Sequence, residues 1–173
     1  MILDEIMTQE DVKKIDIKKI IIDGMVYGSI SSKDIFESAK ISGEKSASAV
    51  LESIEEVSNK KFIPLGIEYF DFAKKYVESP DDECKREASR IVGNMAASFP
   101  DELDDIIPVL IRNSEDPGTA VRWGSAYALS RIIVLEKYRS SDLCDKVKGI
   151  CDAEKEIEVK NQYLSGLERI EKV

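Results

Sequence analysis

The sequence predicts an all-α protein, built as a solenoid of stacked helix pairs, and three observations support this prediction. Apolar residues recur every three or four positions along almost the whole chain, which is the period of an amphipathic helix. No stretch alternates apolar and polar residues in the manner of a strand. Similar segments also recur at a nearly constant interval, and such repetition indicates stacked helical units. A chain of 173 residues is long enough for one continuous core.

Turn and capping residues divide the chain into about nine predicted helices. Thr8 is predicted to cap the first helix, which continues or restarts in IDIKKIIIDGMVYG until its glycines weaken it. Ser32 is the predicted N-cap of a short helix, KDIFESAK. Ser42 and Gly43 separate this short helix from a longer one, EKSASAVLESIEEVSNKK.

Prolines and serines mark the beginnings of the later helices. Pro64 precedes LGIEYFDFAKKYVE, Pro80 follows a serine and starts DDECKREASRIVGNMAAS, and Pro100 starts DELDDIIPVLIRN. The turn DPGT leads into AVRWGSAYALSRIIVLE, and Ser140 or Ser141 caps DLCDKVKGICDA. The final helix is EIEVKNQYLSGLERIEK. Because the connections are only a few residues long, neighbouring helices are predicted to be antiparallel.

The second helices of successive pairs resemble one another. CKREASRIVGNM, VRWGSAYALSRI and VKNQYLSGLERI begin 37 and 38 residues apart, and each has a cation in its second place. Each also has an apolar residue in its ninth place and another in its twelfth. A weaker copy, GEKSASAVLESI, begins 41 residues before the first of them. A two-helix unit of this length cannot bury its apolar face alone, so these four units are predicted to stack.

The third unit resembles the HEAT repeats, in particular the short HEAT-like repeats of bacterial and archaeal proteins. That pattern has a first helix that often contains proline, a turn with aspartate, and a second helix reading roughly D-x-x-V-R-x-x-A-A-x-A-L-x-x-I. The matching residues are Pro108, Asp116, Val121, Arg122, Ser125, Ala126, Ala128, Leu129 and Ile132. The second unit matches at Lys85, Ala88, Ile91, Val92 and Met95. The resemblance implies an armadillo-type fold, a right-handed α-α superhelix of about four HEAT-like helix pairs behind an N-terminal helical cap.

The resemblance also implies domain limits and structural roles. We expect the cap over residues 1–31 and one continuous repeat array over 32–173, with units at about 32–60, 64–98, 100–136 and 141–173. Pro108 is expected to bend the first helix of the third unit. The cations Lys85 and Arg122 are expected to pair with turn aspartates, Asp82 or Asp116, and so to join neighbouring layers.

Second-helix residues that do not face the core form the candidate binding site. The third, seventh and eleventh places of each unit fall on one side of the helix. Those places predict a cationic and aromatic ridge, composed of Arg86, Arg90, Asn94, Trp123, Tyr127, Arg131 and Arg169. Arginine, tryptophan and tyrosine are enriched at binding hot spots. In the alternative interpretation, the two aromatic side chains pack between layers and the arginines pair with carboxylates of neighbouring units.

The composition argues against several classes of function. The chain contains no histidine, which removes the commonest general base and metal ligand, and it has no phosphate-binding or nucleophile motif. Three cysteines without a CxxC pair indicate reduced, inert thiols. We therefore expect no enzymatic activity, no cofactor and no metal. The acidic beginning does not resemble a signal peptide, and no apolar run is long enough to span a membrane, so a cytoplasmic location is expected.

Three hypotheses about function remain. The first is a non-enzymatic scaffold or adaptor that binds a protein or an acidic peptide in a concave groove lined by the second helices. The alternative is a nucleic-acid-binding protein resembling the HEAT-like alkylpurine DNA glycosylases. Against it, the ridge positions carry no catalytic carboxylate, and the net charge of −9 opposes binding to a polyanion. The third is a regulatory subunit resembling the HEAT-like proteins associated with bilin attachment, for which no motif is present.

Overall fold

Helices joined by short turns make up the described part of the chain. The computed structural model describes residues 2–172, with side chains from residue 3, so the predicted limits at 1 and 173 lie outside it. Within this range there are no strands, and the eleven α-helices are α1 Ile2–Thr8, α2 Lys14–Val26, α3 Ser32–Ser38, α4 Glu44–Lys60, α5 Ile67–Tyr76, α6 Asp82–Met95, α7 Ile107–Asn113, α8 Thr119–Ile132, α9 Glu136–Arg139, α10 Asp142–Ala153 and α11 Ile157–Glu171. The all-α prediction is confirmed. None of these helices has the length and apolar character needed to cross a bilayer.

The longer helices form a row through the molecule. Helix α4 packs against α6, α6 against α8, and α8 against α11. The intervening helices α3, α5, α7 and α10 each pack against the next member of this row along the sequence. The predicted second helices are therefore adjacent, and together with the intervening helices they form an α-α superhelix. We call α4, α6, α8 and α11, with α2 as described next, the second-helix row.

The N-terminal segment adds a layer to this row. Helix α2 packs against α4 in the place of a second helix, and α1 packs against α3 in the place of a first helix. Lys14 ties this layer to the next two, because its Nζ donates to Ser48 Oγ at 2.5 Å and to Glu83 Oε1 at 2.7 Å and also pairs with Glu52. The two helices before α3 thus make up the predicted N-terminal helical cap, and they continue the stack.

The Lys14 cluster predicts a dependence of stability on pH. The hydrogen bond from Lys14 lowers the pKa of the Glu83 carboxyl to about 2, so the folded state favours its charged form. The resulting stabilisation is present above the ordinary pKa of 4.5 and is lost as the pH falls from there towards 2. Because the Glu83 side chain is 44% exposed, we expect a loss of no more than about 1 kcal/mol.

Urea unfolding between pH 6 and pH 2.5 checks this expectation. Glu83→Gln should flatten the fall in the free energy of unfolding, whereas Glu37→Gln, at an exposed position on α3, should leave it as in the wild type. Identical pH profiles for wild type and Glu83→Gln would contradict the proposed role of the Lys14 cluster.

The repeat positions supply the core, and glycines set how closely its layers approach. Val92 and Leu129 are fully buried, and Leu167 in the last layer is partly buried. Gly124 of α8 lies against the backbone of α6, and Gly166 of α11 lies against the backbone of α8. A Cβ atom at either glycine would come within about 3 Å of that neighbouring backbone. Close contact between these helices therefore requires glycine at both places.

The third unit begins differently from the prediction. A single helix bent at Pro108 was expected to start at Pro100, but residues 100–102 form a 3₁₀ turn and α7 begins only at Ile107. Pro108 lies in the first turn of α7, where its missing N–H has no helical partner to lose. Proline therefore starts this helix and does not bend it.

Capping also departs from the prediction at several helices. Thr8 is the last residue of α1 and not a cap at the start of a helix. The N-cap of α3 is Ser31 instead of Ser32, and the N-cap of α6 is Asp81, one residue beyond the predicted starting residue Pro80. In both cases the side-chain oxygen accepts a hydrogen bond from a backbone N–H of the first turn. The short helix α9 was not predicted.

Candidate functional site

The predicted ridge lies on one face of the second-helix row. Arg86, Arg90 and Asn94 lie on α6, Trp123, Tyr127 and Arg131 on α8, and Arg169 on α11. The amphipathic register explains this placement, because these positions fall beside the buried stripe of each helix. Their environments differ, however, and the differences divide the ridge into a paired part and an unpaired part.

Trp123 is half-buried at the seam between α6 and α8. Its ring lies 5.4 Å from the ring of Tyr127, and the Arg90 guanidinium lies 5.6 Å from the Trp123 centroid. A cleft of about 560 Å³ opens beside it, lined by Arg86, Arg90, Thr119, Ala120, Trp123 and Glu158. Trp123 thus both packs on the core and lines a solvent-accessible cleft.

Tyr127 and Asn94 hold the layers together. Tyr127 is only 6% exposed, and its hydroxyl donates a hydrogen bond to the Asn94 side-chain oxygen. The Asn94 amide donates in turn to Ser58 Oγ of α4 at 3.0 Å. Burial raises the pKa of the Tyr127 hydroxyl above its ordinary value, which keeps it a neutral donor. The alternative interpretation, packing between layers, therefore describes Tyr127 best, and Asn94 is its partner in that contact.

Two glutamates that the sequence analysis missed neutralise the arginines of α6. Arg90 Nη2 lies 2.8 Å from Glu55 Oε1, and Arg90 Nη1 lies 3.3 Å from Glu87 Oε2. Arg86 Nε lies 2.9 Å from Glu87 Oε1. Burial raises the pKa of the Glu55 carboxyl, although Arg90 opposes this shift. The ridge positions themselves carry no carboxylate, as expected, but two buried carboxylates lie directly beside them.

One of these glutamates could have been found from spacing. Glu87 and Arg90 are three residues apart on α6, which is an ion-pair spacing within a helix. Glu55 lies on α4, and its contact with Arg90 depends on how two layers are aligned. Nothing in the sequence of a single helix indicates that alignment.

On the part of the ridge face formed by α2, α4 and α6, the basic side chains form ion pairs with acidic side chains of the same three helices. Five bases and five acids of the described chain take part, namely Lys14, Lys18, Lys60, Arg86 and Arg90 with Glu52, Glu55, Glu56, Glu83 and Glu87. Several of them line a polar depression of about 360 Å³. The prediction of a cationic surface is therefore wrong for this half, because each arginine there has a carboxylate partner.

Arg131 and Arg169 form the unpaired part of the ridge, which we call the arginine end. Within residues 3–172, neither has a carboxylate within ion-pair distance. The Arg131 guanidinium lies 3.4 Å from the centroid of the Tyr127 ring and donates to the Tyr127 carbonyl. Burial lowers the pKa of Arg131, and repulsion from Arg169 and Arg90 acts in the same direction. An anion at the arginine end would relieve that repulsion.

Lys85 and Arg122 join layers and do not face the ridge. Lys85 Nζ lies 3.1 Å from Asp116 Oδ2 of the next unit, as expected. Arg122 Nε pairs with Glu154 Oε2 at 3.0 Å instead of a turn aspartate, and its Nη1 donates to the Asp116 carbonyl. This ladder lies at the turns that join the first helix of a unit to its second helix. Both cations are thus used structurally.

No metal centre accompanies the ridge in the described chain. Over residues 3–172, the side chains that bind metals do not gather in a group of three or more. The three cysteines are free, and burial raises the pKa of the Cys84 thiol to about 12. The ridge itself presents guanidinium groups and the aromatic rings of Trp123 and Tyr127.

Comparisons with known proteins agree with this architecture. The family model described as HEAT-like repeat matches residues 82–132, which span α6 to α8. No curated protein sequence matches the chain at a significant level. Among solved structures, a designed armadillo repeat protein is similar with a TM-score of 0.68 at 14% identity, over 97% of this chain and 80% of that one.

Two further structures are similar to the same extent. A second designed armadillo repeat protein, solved in complex with the peptide (KR)4, has a TM-score of 0.67 at 15% identity, over 97% of this chain and 80% of that one. An engineered protein has a TM-score of 0.71 at 15% identity, over 99% of this chain and 78% of that one. At such low identity these likenesses concern the fold alone. The match to the HEAT-like repeat model thus covers α6 to α8, and along nearly its whole length the chain has the fold of an armadillo-type helical repeat array.

Proposed function

We propose that the chain is a non-enzymatic adaptor that binds an acidic peptide segment across α8 and α11. The observation that carries this proposal is the arginine end. Arg131 and Arg169 lack carboxylate partners in the described chain, while the arginines of α6 are neutralised by glutamates. A peptide carboxylate between the two unpaired arginines would supply the missing anion. Charge-assisted hydrogen bonds of this kind are among the strongest that proteins make.

The distance between two contact points, Trp123 and Arg131, predicts the spacing of the matching residues in the bound peptide. Trp123 and Arg131 are eight residues apart on α8, which is about 12 Å at 1.5 Å per residue. An extended peptide covers about 3.3 Å per residue, so the same distance takes three to four residues. We therefore expect an apolar or aromatic residue in the cleft beside Trp123 and an acidic residue three or four positions away. Glu158 lines the cleft, so an acidic residue is disfavoured at that end.

The similarity in fold favours a peptide ligand, and the charges of this chain that lack ion-pair partners indicate the charge of that peptide. One similar designed armadillo repeat protein was solved with a peptide of alternating lysine and arginine. In the present chain the half with many glutamates already contains an equal number of bases, so it offers no excess of negative charge to such a peptide. The unpaired charges of the ridge are positive. The peptide preference is therefore expected to be acidic.

Selection from a library of displayed random dodecapeptides tests the proposal. The full chain, immobilised in buffer of moderate ionic strength, should enrich sequences that combine an acidic residue with an apolar residue three or four positions away. Enrichment should weaken as salt rises, because part of the attraction is long-range. Enrichment of basic sequences, or of none, would overturn the proposal.

Removing the arginine end should weaken binding of a selected peptide by at least about tenfold. The double variant Arg131→Gln, Arg169→Gln loses charge-assisted hydrogen bonds worth roughly 1.5 to 3 kcal/mol, which corresponds to tenfold or more in Kd. The matched control is Arg112→Gln, since Arg112 of α7 pairs with Glu78 away from the second-helix row. Fluorescence anisotropy with the labelled peptide measures both variants. The control removes one charge and the double variant two, so a loss of binding free energy in the control of half that in the double variant or more would show that net charge, and not the arginine end, controls affinity.

A duplex DNA competitor addresses the nucleic-acid alternative within the same assay. The net charge of −9 opposes binding to a polyanion, and the ion pairs of Arg86 and Arg90 occupy two of the four arginines of the ridge. The duplex is therefore expected not to displace the labelled peptide at physiological salt. Displacement that depends on Arg131 would favour the nucleic-acid function instead.

A further inference from the structure

Helix α2 leaves an apolar face uncovered at the end of the second-helix row. Ile15 is 70% exposed, Tyr27 is 82% exposed and Phe62, just beyond α4, is 48% exposed. Ile22 and Val26 lie on the same side of α2 and are only partly buried. These side chains line a groove of about 550 Å³ between α2 and the end of α4. Every other member of the row except the last has a neighbour on both sides.

The exposed stripe has the spacing of a helix-pairing surface. Ile15, Lys19, Ile22 and Val26 follow one another at intervals of four, three and four residues. This is the seam pattern by which two helices pack along their length. The stripe is interrupted at Lys19, which lies between two apolar positions. A partner helix must therefore offer apolar side chains and also a carboxylate.

A second α2 meets both requirements. If two copies pack antiparallel about a twofold axis beside Ile21, Lys19 of each lies opposite Asp23 of the other, and Ile15 lies opposite Tyr27. Lys19 and Asp23 are both exposed, and neither forms an ion pair within residues 3–172. The face is thus complementary to itself in charge and in apolar character, as a twofold interface requires. We propose that the chain forms a homodimer through antiparallel pairing of α2.

The other end of the row offers a less complementary surface. Helix α11 exposes Ile157 and Leu164 beside Asn161 and Glu168. Stacking α11 of one copy parallel to α2 of the next, with Ile157 beside Ile15, would bring Asn161 beside Lys19. In that register Asp23 would have no cation opposite it. Such a head-to-tail contact would also repeat without closing, producing open assemblies of growing mass.

Sedimentation equilibrium of the full chain with two charge variants tests the dimer. The wild type is expected at about twice the monomer mass of 19.4 kDa. Lys19→Asp and Asp23→Lys each place like charges opposite one another and should yield monomers, while the double exchange, Lys19→Asp with Asp23→Lys, should restore the dimer. Both residues are exposed, so unchanged circular dichroism is expected for all variants.

A wild-type monomer, a mass that grows continuously with concentration, or a double exchange that stays monomeric would each overturn the proposal.

A cysteine variant tests the geometry of the α2 contact directly. Ile22 lies near the proposed twofold axis, so Ile22→Cys should form a disulfide with its own counterpart under mild oxidation. Cys84 and Cys151 are buried but Cys144 of α10 is partly exposed, so both Ile22→Cys and its control carry Cys144→Ser, and the control should not cross-link. Absence of the Ile22→Cys cross-link in a dimeric sample would exclude pairing through α2.

Discussion

Replacing Leu129 with alanine is expected to lower the free energy of unfolding by about 2 to 5 kcal/mol. Leu129 is fully buried on α8, which packs against both α6 and α11. Alanine at this place removes buried aliphatic atoms and leaves a cavity that rigid neighbours fill only in part. In a stacked array each layer is stabilised by its neighbours, so the loss affects the central layers together.

Urea unfolding followed by far-ultraviolet circular dichroism measures this loss. The matched control is Leu164→Ala, because Leu164 on α11 is 37% exposed and its truncation should change stability by no more than about 0.5 kcal/mol. Equal unfolding midpoints for wild type and Leu129→Ala would show that α8 does not lie at the centre of the stack.

The second large effect is expected at Gly166. A Cβ there would lie 2.5 Å from the Ser130 carbonyl oxygen and 2.8 Å from the Ser130 Cα. Because these are backbone atoms of α8, a rotamer change cannot relieve the clash, and α11 must shift. Overpacking of this kind costs about 1 to 3 kcal/mol, which exceeds the gain of about 1 kcal/mol from replacing a helical glycine by alanine.

Gly166→Ala is therefore expected to destabilise the protein, and Gly149→Ala to stabilise it. Gly149 lies on α10, and a Cβ at that position meets no heavy atom within 4 Å. The two substitutions are chemically identical, so the difference in their unfolding midpoints isolates the contact between α11 and α8. Stabilisation by both would mean that the last two members of the row are not in close contact.

Local patterns account for most of the fold. Helix period, repeat spacing and the resemblance to HEAT repeats predicted the second-helix row, and the ion pair of Lys85 with Asp116 followed from the same pattern. Helix α2 was missed as a layer because it begins 30 residues before α4, outside the interval of the other units. Gly124 and Gly166 were missed because their role depends on the backbone of a neighbouring layer.

The candidate site was predictable only in part. Helical register placed the ridge residues on one face, because a register depends on one helix alone. Whether each cation has a carboxylate partner depends on how two helices are aligned. Glu55 of α4, for example, contacts Arg90 across the boundary between layers. Tyr127 illustrates the same limit, since its register suggests a surface position while its hydroxyl bonds to Asn94 of α6. Arg131 and Arg169 remain the unpaired cations of the predicted ridge within residues 3–172.

Trp123 makes the central claim directly measurable, because it is the only tryptophan of the chain. An acidic peptide with an apolar residue three or four positions from its carboxylate should be titrated into the full chain while Trp123 emission is recorded. We expect a saturable change in emission and reduced quenching by iodide. The Kd obtained from either signal should rise at least about tenfold in the double variant Arg131→Gln, Arg169→Gln. Arg112→Gln should leave both unchanged. Emission that stays constant while the peptide binds, or binding that survives loss of both arginines, would contradict a peptide site across α8 and α11.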